Sequence, residues 1–205
     1  MPEYKLVYFN ARGWAELARL VMHYAGVEFE DFRFERDEWP QYKEKMPFKK
    51  VPILEVDGKV LAQSQSIARY LARKHGLAGK SDWEQAQADM YVDCMVDLMK
   101  GTTPAYMEQD PVKKQELMVS YINDVVIPHA QIIEKHLANN ATGFLVGSQV
   151  TWADLSYFSW FSFLQNKMGH VLKLNDTPHL KKLIEHIGNV PSIKEWIEKR
   201  PKTEA

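Results

Sequence analysis

The sequence predicts an α/β domain with a mixed four-stranded sheet over residues 1–76, a linker at 77–80, and an all-α helical bundle over 81–205. Three observations carry this prediction. Apolar runs before residue 35 follow the order strand, helix, strand, and Asp57-Gly58 sits between two further apolar-rich runs. Beyond residue 80 strand signals nearly vanish, while helix-opening signals recur.

Tyr4 to Phe9 mixes aromatic and β-branched residues and predicts the first strand, ended by the polar turn Asn10-Ala11-Arg12-Gly13. Leu17, Leu20, Val21 and Tyr24 form a helical stripe, with Gly26 placed for a left-handed C-cap. Val27, Phe29, Phe32 and Phe34 suggest a second strand, with imperfect alternation between Phe29 and Phe32. Glu35 to Lys50 is polar and broken by Trp39-Pro40 and Met46-Pro47, so a short helix inside an irregular loop is expected. The Asp57-Gly58 pair then predicts a tight hairpin, because both residues accept positive φ. Ile67, Tyr70 and Leu71 open a third helix, giving β-α-β-α-β-β-α. That order matches a thioredoxin-like half, in which a crossover makes the first two strands parallel and the hairpin adds antiparallel ones.

Gly76 and Gly79 mark the linker, within His75 to Lys80. Ser81-Asp82-Trp83-Glu84 fits a capping box for a long helix toward Met99, and Asp110-Pro111 opens another, which Pro128 should kink or restart. Thr151-Trp152-Ala153-Asp154 is a second capping signal, giving Asp154 a folding role. Leu180, Leu183, Ile184 and Ile187 make one further stripe, and Pro191 begins a last helix with Ile193, Trp196 and Ile197.

Composition narrows the function. A net charge of -1 offers no basic field for nucleic acid or an anionic membrane. Residues 1–5 lack the apolar core of a signal peptide, and the run from Leu155 to Leu164 is too short to span a bilayer, so a cytoplasmic protein is expected. A single cysteine, Cys94, forbids an intrachain disulfide or a Cys-x-x-Cys pair, so any thiol chemistry would use a sulfur brought by a ligand. No histidines stand at metal-ligand helical spacing; His129/His136 and His179/His186 are seven apart, which suits solvated or capping residues. Glycine-rich phosphate loops and the Gly-x-Ser-x-Gly elbow are both missing from the sequence.

The strand-to-helix junction at Gln63-Ser64-Gln65-Ser66 is the first candidate site. It combines free N–H groups, a partial positive charge and a serine hydroxyl, a set that suits a small carboxylate. Pro52 has no N–H and belongs at a strand edge or start, so the backbone beside it at Val51 is expected to be open to an extended peptide, with a cis or trans Val51-Pro52 bond equally compatible with the sequence. An ordinary hairpin and helix without a ligand is the alternative.

Tyr8-Phe9-Asn10 with Arg12-Gly13 and Ala15-Glu16, then Glu38-Trp39-Pro40, Val51 to Gly58, Gln63-Ser64 and Thr151 to Asp154, run in order over the whole chain. This series resembles the glutathione transferases, closest to the sigma class, which includes glutathione-dependent prostaglandin D synthases. The resemblance implies glutathione as co-substrate, no metal, a homodimer, and an electrophile site on the helical domain. It implies Tyr8 as the catalytic tyrosine, with Trp39, Lys43 and Lys50 around the glycine carboxylate and Val51 on the cysteinyl backbone. Gln63 and Ser64 would hold the γ-glutamyl end, joined by Asp97 from the partner subunit. Phe9, Trp14, Met95, Met99 and Tyr106 would line the electrophile pocket. Small hydrophobic electrophiles are the expected substrates, with prostaglandin isomerisation, peroxide reduction or a crystallin-like binding role as alternatives. Two positions depart from the class: Trp14 stands where arginine is frequent, which would leave the thiol pKa less depressed, and Lys49 where glycine is common.

Overall fold

The computed structural model describes residues 2–203 and groups them into two compact units: residues up to Leu77 together with those from Asn189 onward, and Ala78–Gly188. Met1, Glu204 and Ala205, which lie at the outer limits of the two expected domain ranges, fall outside the described residues.

In the first unit, β1 (Tyr4–Phe9), β2 (Glu30–Phe34), β3 (Ile53–Val56) and β4 (Lys59–Ala62) form one sheet in the order β2-β1-β3-β4. β1 and β2 are parallel, while β1/β3 and β3/β4 are antiparallel, so the expected mixed four-stranded sheet is present. Phe29 lies outside β2 and meets the His23 ring edge-on at 5.3 Å, which accounts for the break in alternation. The β3/β4 turn is the two-residue Asp57-Gly58 loop, with φ of 48° and 77°, the left-handed pair such a hairpin demands.

α1 (Glu16–Tyr24) buries Ala18, Leu20, Val21 and Met22, and with them Glu16 and Arg19, while Leu17 of the expected stripe is half-buried. A short 3₁₀ turn, Arg36–Glu38, runs into α2 (Trp39–Lys43), and the turn is opened by a capping box between Glu35 and Glu38. α3 (Ser64–Lys74) follows β4 directly.

The second unit is all helix: α4 (Asp82–Gly101), α5 (Thr103–Met107), α6 (Pro111–Tyr121), α7 (Ile127–Asn139), α8 (Trp152–Met168) and α9 (Pro178–Gly188). A π-helical turn, Ile122–Val126, joins α6 to α7 just ahead of Pro128, whose missing N–H and ring α-helical geometry cannot accommodate. α8 starts with the full Thr151/Asp154 box. Ser81 Oγ accepts from Glu84 N at 3.2 Å, but Glu84 turns its carboxylate to Lys80 N at 2.6 Å, so this box is half formed. The histidines differ from the expectation of solvated or capping roles: His129 meets Tyr157 Oη at 2.9 Å and His136 meets Tyr91 Oη at 3.0 Å, which places polar contacts between helices. His179 Nδ1 lies 2.6 Å from Glu134, whose carboxylate also accepts from the His179 and Leu180 N–H groups and so caps α9.

α10 (Pro191–Lys199) falls, with the residues from Asn189 onward, in the compact unit that holds the sheet. It packs on α1, and its Trp196 stacks on His23 with ring centroids 4.4 Å apart. Trp196 Nε1 and Arg200 Nη1 both donate to Glu16 Oε1, at 3.0 and 2.6 Å. An ion pair and an indole hydrogen bond to a buried carboxylate tie this segment down, and neither is visible as a local pattern.

Candidate functional site

The sheet register gathers the loops that matter. Phe9 aligns with Phe34, Val7 with Ile53, and Ile53 with Ala62, so the ends of β1, β2 and β4 and the start of β3 share one end of the sheet. The segments leaving or entering there hold Tyr8, Phe9, Trp14, Trp39, Lys43, Lys50, Val51, Gln63 and Ser64. Nine of the candidates named from the sequence therefore sit on one rim of one unit. Asp97, Met95, Met99 and Tyr106 lie in the other unit, on α4 and α5.

Tyr8 is buried near the end of β1, and its hydroxyl oxygen accepts a hydrogen bond from the Trp14 N–H at 3.2 Å. Gly13 makes this possible: it has φ +41°, and a Cβ there would stand 2.6 Å from Tyr8 Oη. Burial raises the Tyr8 pKa, opposed by the Trp14 N–H and the Arg19 and Arg36 guanidiniums, so the phenol is neutral through the physiological range. With one lone pair taken, the hydroxyl keeps its proton free to donate.

Phe9 packs at 5.0 Å from Phe34 and 5.5 Å from Trp39, and Trp39 stacks on Phe34 at 6.0 Å. Trp39 thus anchors the loop over the Val7, Phe34 and Ile53 cluster. Lys43, at the end of α2, and Lys50 are exposed and carry no ion pair among the described residues. Lys49 pairs with Glu44 at 2.9 Å and holds φ 51°, the left-handed conformation that explains why glycine suits its position.

Val51-Pro52 is a cis peptide. Pro52 precedes β3, an interior strand, so of the two expected places, a strand edge or a strand start, it takes the start: the β1/β3 ladder ends at Val7 and Ile53, leaving Val51 beyond it. Gln63, the N-cap of α3, has φ 76° and ψ 117°, a sparsely populated region that costs a non-glycine residue about 1–3 kcal/mol. No side chain caps α3, so Ser64 and the first-turn N–H groups stand open at the positive end of the helix. Gln65 Oε1 beside them is buried without a partner.

In the helical unit Asp97 is exposed and 3.9 Å from Lys100, Met95 has no exposed surface, Met99 is half-buried, and Tyr106 is exposed. Among the described residues no three His, Cys, Asp or Glu side chains are placed to hold a metal, and no helix is long and apolar enough to cross a membrane.

A buried charge network behind Tyr8 escaped sequence reasoning. Arg19 Nε donates to Asp31 at 2.9 Å, and Nη1 donates to the Ala11 and Arg12 carbonyls at 2.8 and 3.2 Å and to Glu16 at 3.3 Å. Burial alone would raise the Glu16 pKa, but the guanidiniums of Arg19, Arg200 and Arg12 override it and hold the carboxyl below its usual range. A Glu and an Arg three apart look like a solvated pair; only their place on the buried face of α1 gives them away.

The glutathione S-transferase N-terminal domain family matches residues 4–73 and the C-terminal domain family residues 96–200. Glutathione S-transferase 1 of Ascaris suum is 44% identical and hematopoietic prostaglandin D synthase of Gallus gallus 43% identical, each over 99% of both chains. The crystal structure of monomeric Na-GST-3, a glutathione S-transferase from the hookworm Necator americanus, superposes with a TM-score of 0.89 at 37% identity, covering 99% of this chain and 100% of that one. Full-length likeness of this order, with both domain families in register, means that the chain belongs to the glutathione S-transferase family.

Proposed function

We propose that this protein conjugates glutathione to small hydrophobic electrophiles, and that Tyr8, neutral and loaded by the Trp14 N–H, keeps its proton and donates a hydrogen bond to the glutathione sulfur, holding it as a thiolate whose own proton has passed to solvent. The single observation that carries this is the buried Tyr8 hydroxyl with its acceptor side occupied and its pKa raised. A free thiol has a pKa of about 8.5, and ionising it near neutrality takes roughly two units, or about 2.7 kcal/mol. A hydrogen bond to a charged acceptor contributes about 1.5–3 kcal/mol, so one phenol suffices for most of that shift.

The tripeptide would extend along the sheet rim. Its γ-glutamyl carboxylate meets the open start of α3 at Gln63 and Ser64, and its cysteinyl backbone pairs with Val51. The glycine carboxylate lies by Trp39, Lys43 and Lys50, two of which are lysines without ion pairs among the described residues. Phe9 and Trp14 on the first unit and Met99 and Tyr106 on the second remain the candidates for the electrophile, while Met95 has no exposed surface to offer a substrate. We assign the chain to the sigma class, to the cytoplasm, and to a homodimer in which Asp97 of the partner subunit reaches the glutamyl ammonium; the monomeric hookworm relative makes the oligomeric state a point for direct measurement.

Retention on immobilised glutathione followed by a chlorodinitrobenzene assay tests the reading. Tyr8→Phe should lower kcat/KM about a hundredfold near neutral pH, equivalent to the roughly 2.7 kcal/mol above, and move the rising limb of the pH profile toward about 8.5. The wild-type profile should show no fall from phenol ionisation below about pH 10, because burial raises that pKa. Turnover indifferent to Tyr8→Phe would reject the tyrosine. A second reading, isomerisation of prostaglandin H2, is favoured by the 43% identity to a relative named hematopoietic prostaglandin D synthase, and a glutathione-dependent change in prostaglandin H2 products would establish it.

A further inference from the structure

We propose that Arg19 is a positioning residue for the Tyr8 hydroxyl: by gripping the Ala11 and Arg12 carbonyls it fixes the turn whose Trp14 N–H donates to Tyr8 Oη. The inference rests on the reading of Tyr8 as the thiolate donor and adds the device that aims it.

Arg19 has no exposed surface, yet its position on α1 is one where an aliphatic side chain would fill the space at less electrostatic cost. Two carboxylates, Glu16 and Asp31, balance its charge from α1 and β2. One nitrogen, Nη1, reaches two successive backbone carbonyls, those immediately before Gly13, and Trp14 follows. Nη2 is buried without a partner, so the guanidinium does not sit where it would satisfy all its own donors. Its Cζ is 6.0 Å from the centre of the Tyr8 ring.

The consequence is geometric. An N–H aimed at Tyr8 Oη fixes which way the hydroxyl proton points, because the remaining positions around the oxygen are then the ones left for donation. Gly13 itself brings no side chain to pack in this turn, and a Cβ there would collide with the phenol. The turn therefore takes its stiffness from outside, from β2 through the Asn10 N–H to the Phe34 carbonyl at 2.9 Å and from α1 through Arg19.

Lysine cannot reach both carbonyls and Asp31 together, because it presents one nitrogen where arginine presents a planar fork. Arg19→Lys keeps the charge and loosens the turn. Titration of thiolate absorbance of bound glutathione should show the pKa raised by about one unit, a roughly tenfold loss of thiolate below that pKa, and kcat should fall about tenfold at neutral pH and recover when alkaline. Glutathione affinity should change by less than about twofold, since neither carboxylate of the ligand is involved. In a Tyr8→Phe background the same substitution should leave the thiol pKa where Tyr8→Phe alone puts it. Equal shifts in both backgrounds would mean that Arg19 acts on the sulfur directly, and no shift in folded Arg19→Lys would mean that it only supports the fold; either overturns the proposal. If Arg19→Lys does not fold, Asp31→Ala, which frees Nε and leaves the charge, carries the same test with an expected shift of about threefold in thiolate that again vanishes without Tyr8. Tyr8→Phe alone reports on the tyrosine reading: no change in thiol pKa there rejects that reading, independently of what Arg19 does.

Discussion

Two helix starts in this molecule are built for opposite ends. At the head of α8, Asp154 is fully buried and accepts from the Leu145 N–H at 2.9 Å, the Thr151 N–H at 2.7 Å and the Thr151 hydroxyl at 2.9 Å. At the head of α3 no side chain caps, and Gln63 sits in a strained backbone conformation. The first start satisfies its donors from within and stabilises the fold. The second leaves them open at a strained turn, the arrangement on which the proposed glutamyl carboxylate site rests.

Substitutions separate the two. Asp154→Ala strands three buried donors and should cost about 3–4 kcal/mol in denaturant unfolding, enough to threaten folding at moderate temperature. A cost under about 1 kcal/mol would mean that the α8 box is ornamental. Gly13→Ala comes next: φ +41° and a Cβ at 2.6 Å from Tyr8 Oη should together cost about 2 kcal/mol of stability and displace the phenol, lowering kcat about thirtyfold. Ser64→Ala should act in the contrary sense to Asp154→Ala, changing stability by no more than about 0.5 kcal/mol while weakening glutathione binding about fivefold to tenfold in calorimetry. Lys49→Gly should be the smallest, a gain of about 0.5 kcal/mol as relief of the left-handed strain outweighs glycine's entropy. Thermal melts of the four variants beside glutathione affinities would show whether folding and binding really divide between the two helix starts.

What the sequence disclosed and what it hid follow from the same distinction. Signals that are local and self-sufficient were legible: Asp57-Gly58 fixed the hairpin and its register, Thr151 and Asp154 fixed the start of α8, and the Leu180 to Ile187 stripe marked a buried face. The register brings the segments that hold the first unit's candidate residues to one end of the sheet, a gathering that no local pattern displays. What stayed hidden depends on distant partners. Glu16 and Arg19 pass for a surface pair until Asp31 and Arg200 close around them, and the last helix shows its apolar stripe but not that its destination is α1. Gly13 was visible as part of a motif, whereas its reason, room for the Tyr8 hydroxyl, exists only in three dimensions. The absence of a cap at Ser64 is likewise a statement about where side chains point, and a sequence of small polar residues suggests a capped helix just as readily.

The account turns on the open start of α3 and the Tyr8 hydroxyl serving one ligand. A crystal structure with glutathione bound tests this most directly. It should place the γ-glutamyl carboxylate on the Ser64 N–H and hydroxyl and the sulfur within about 3.5 Å of Tyr8 Oη, with the Trp14 N–H still on that oxygen. A ligand seated away from α3, or a sulfur beyond reach of a phenol turned from it, would contradict it.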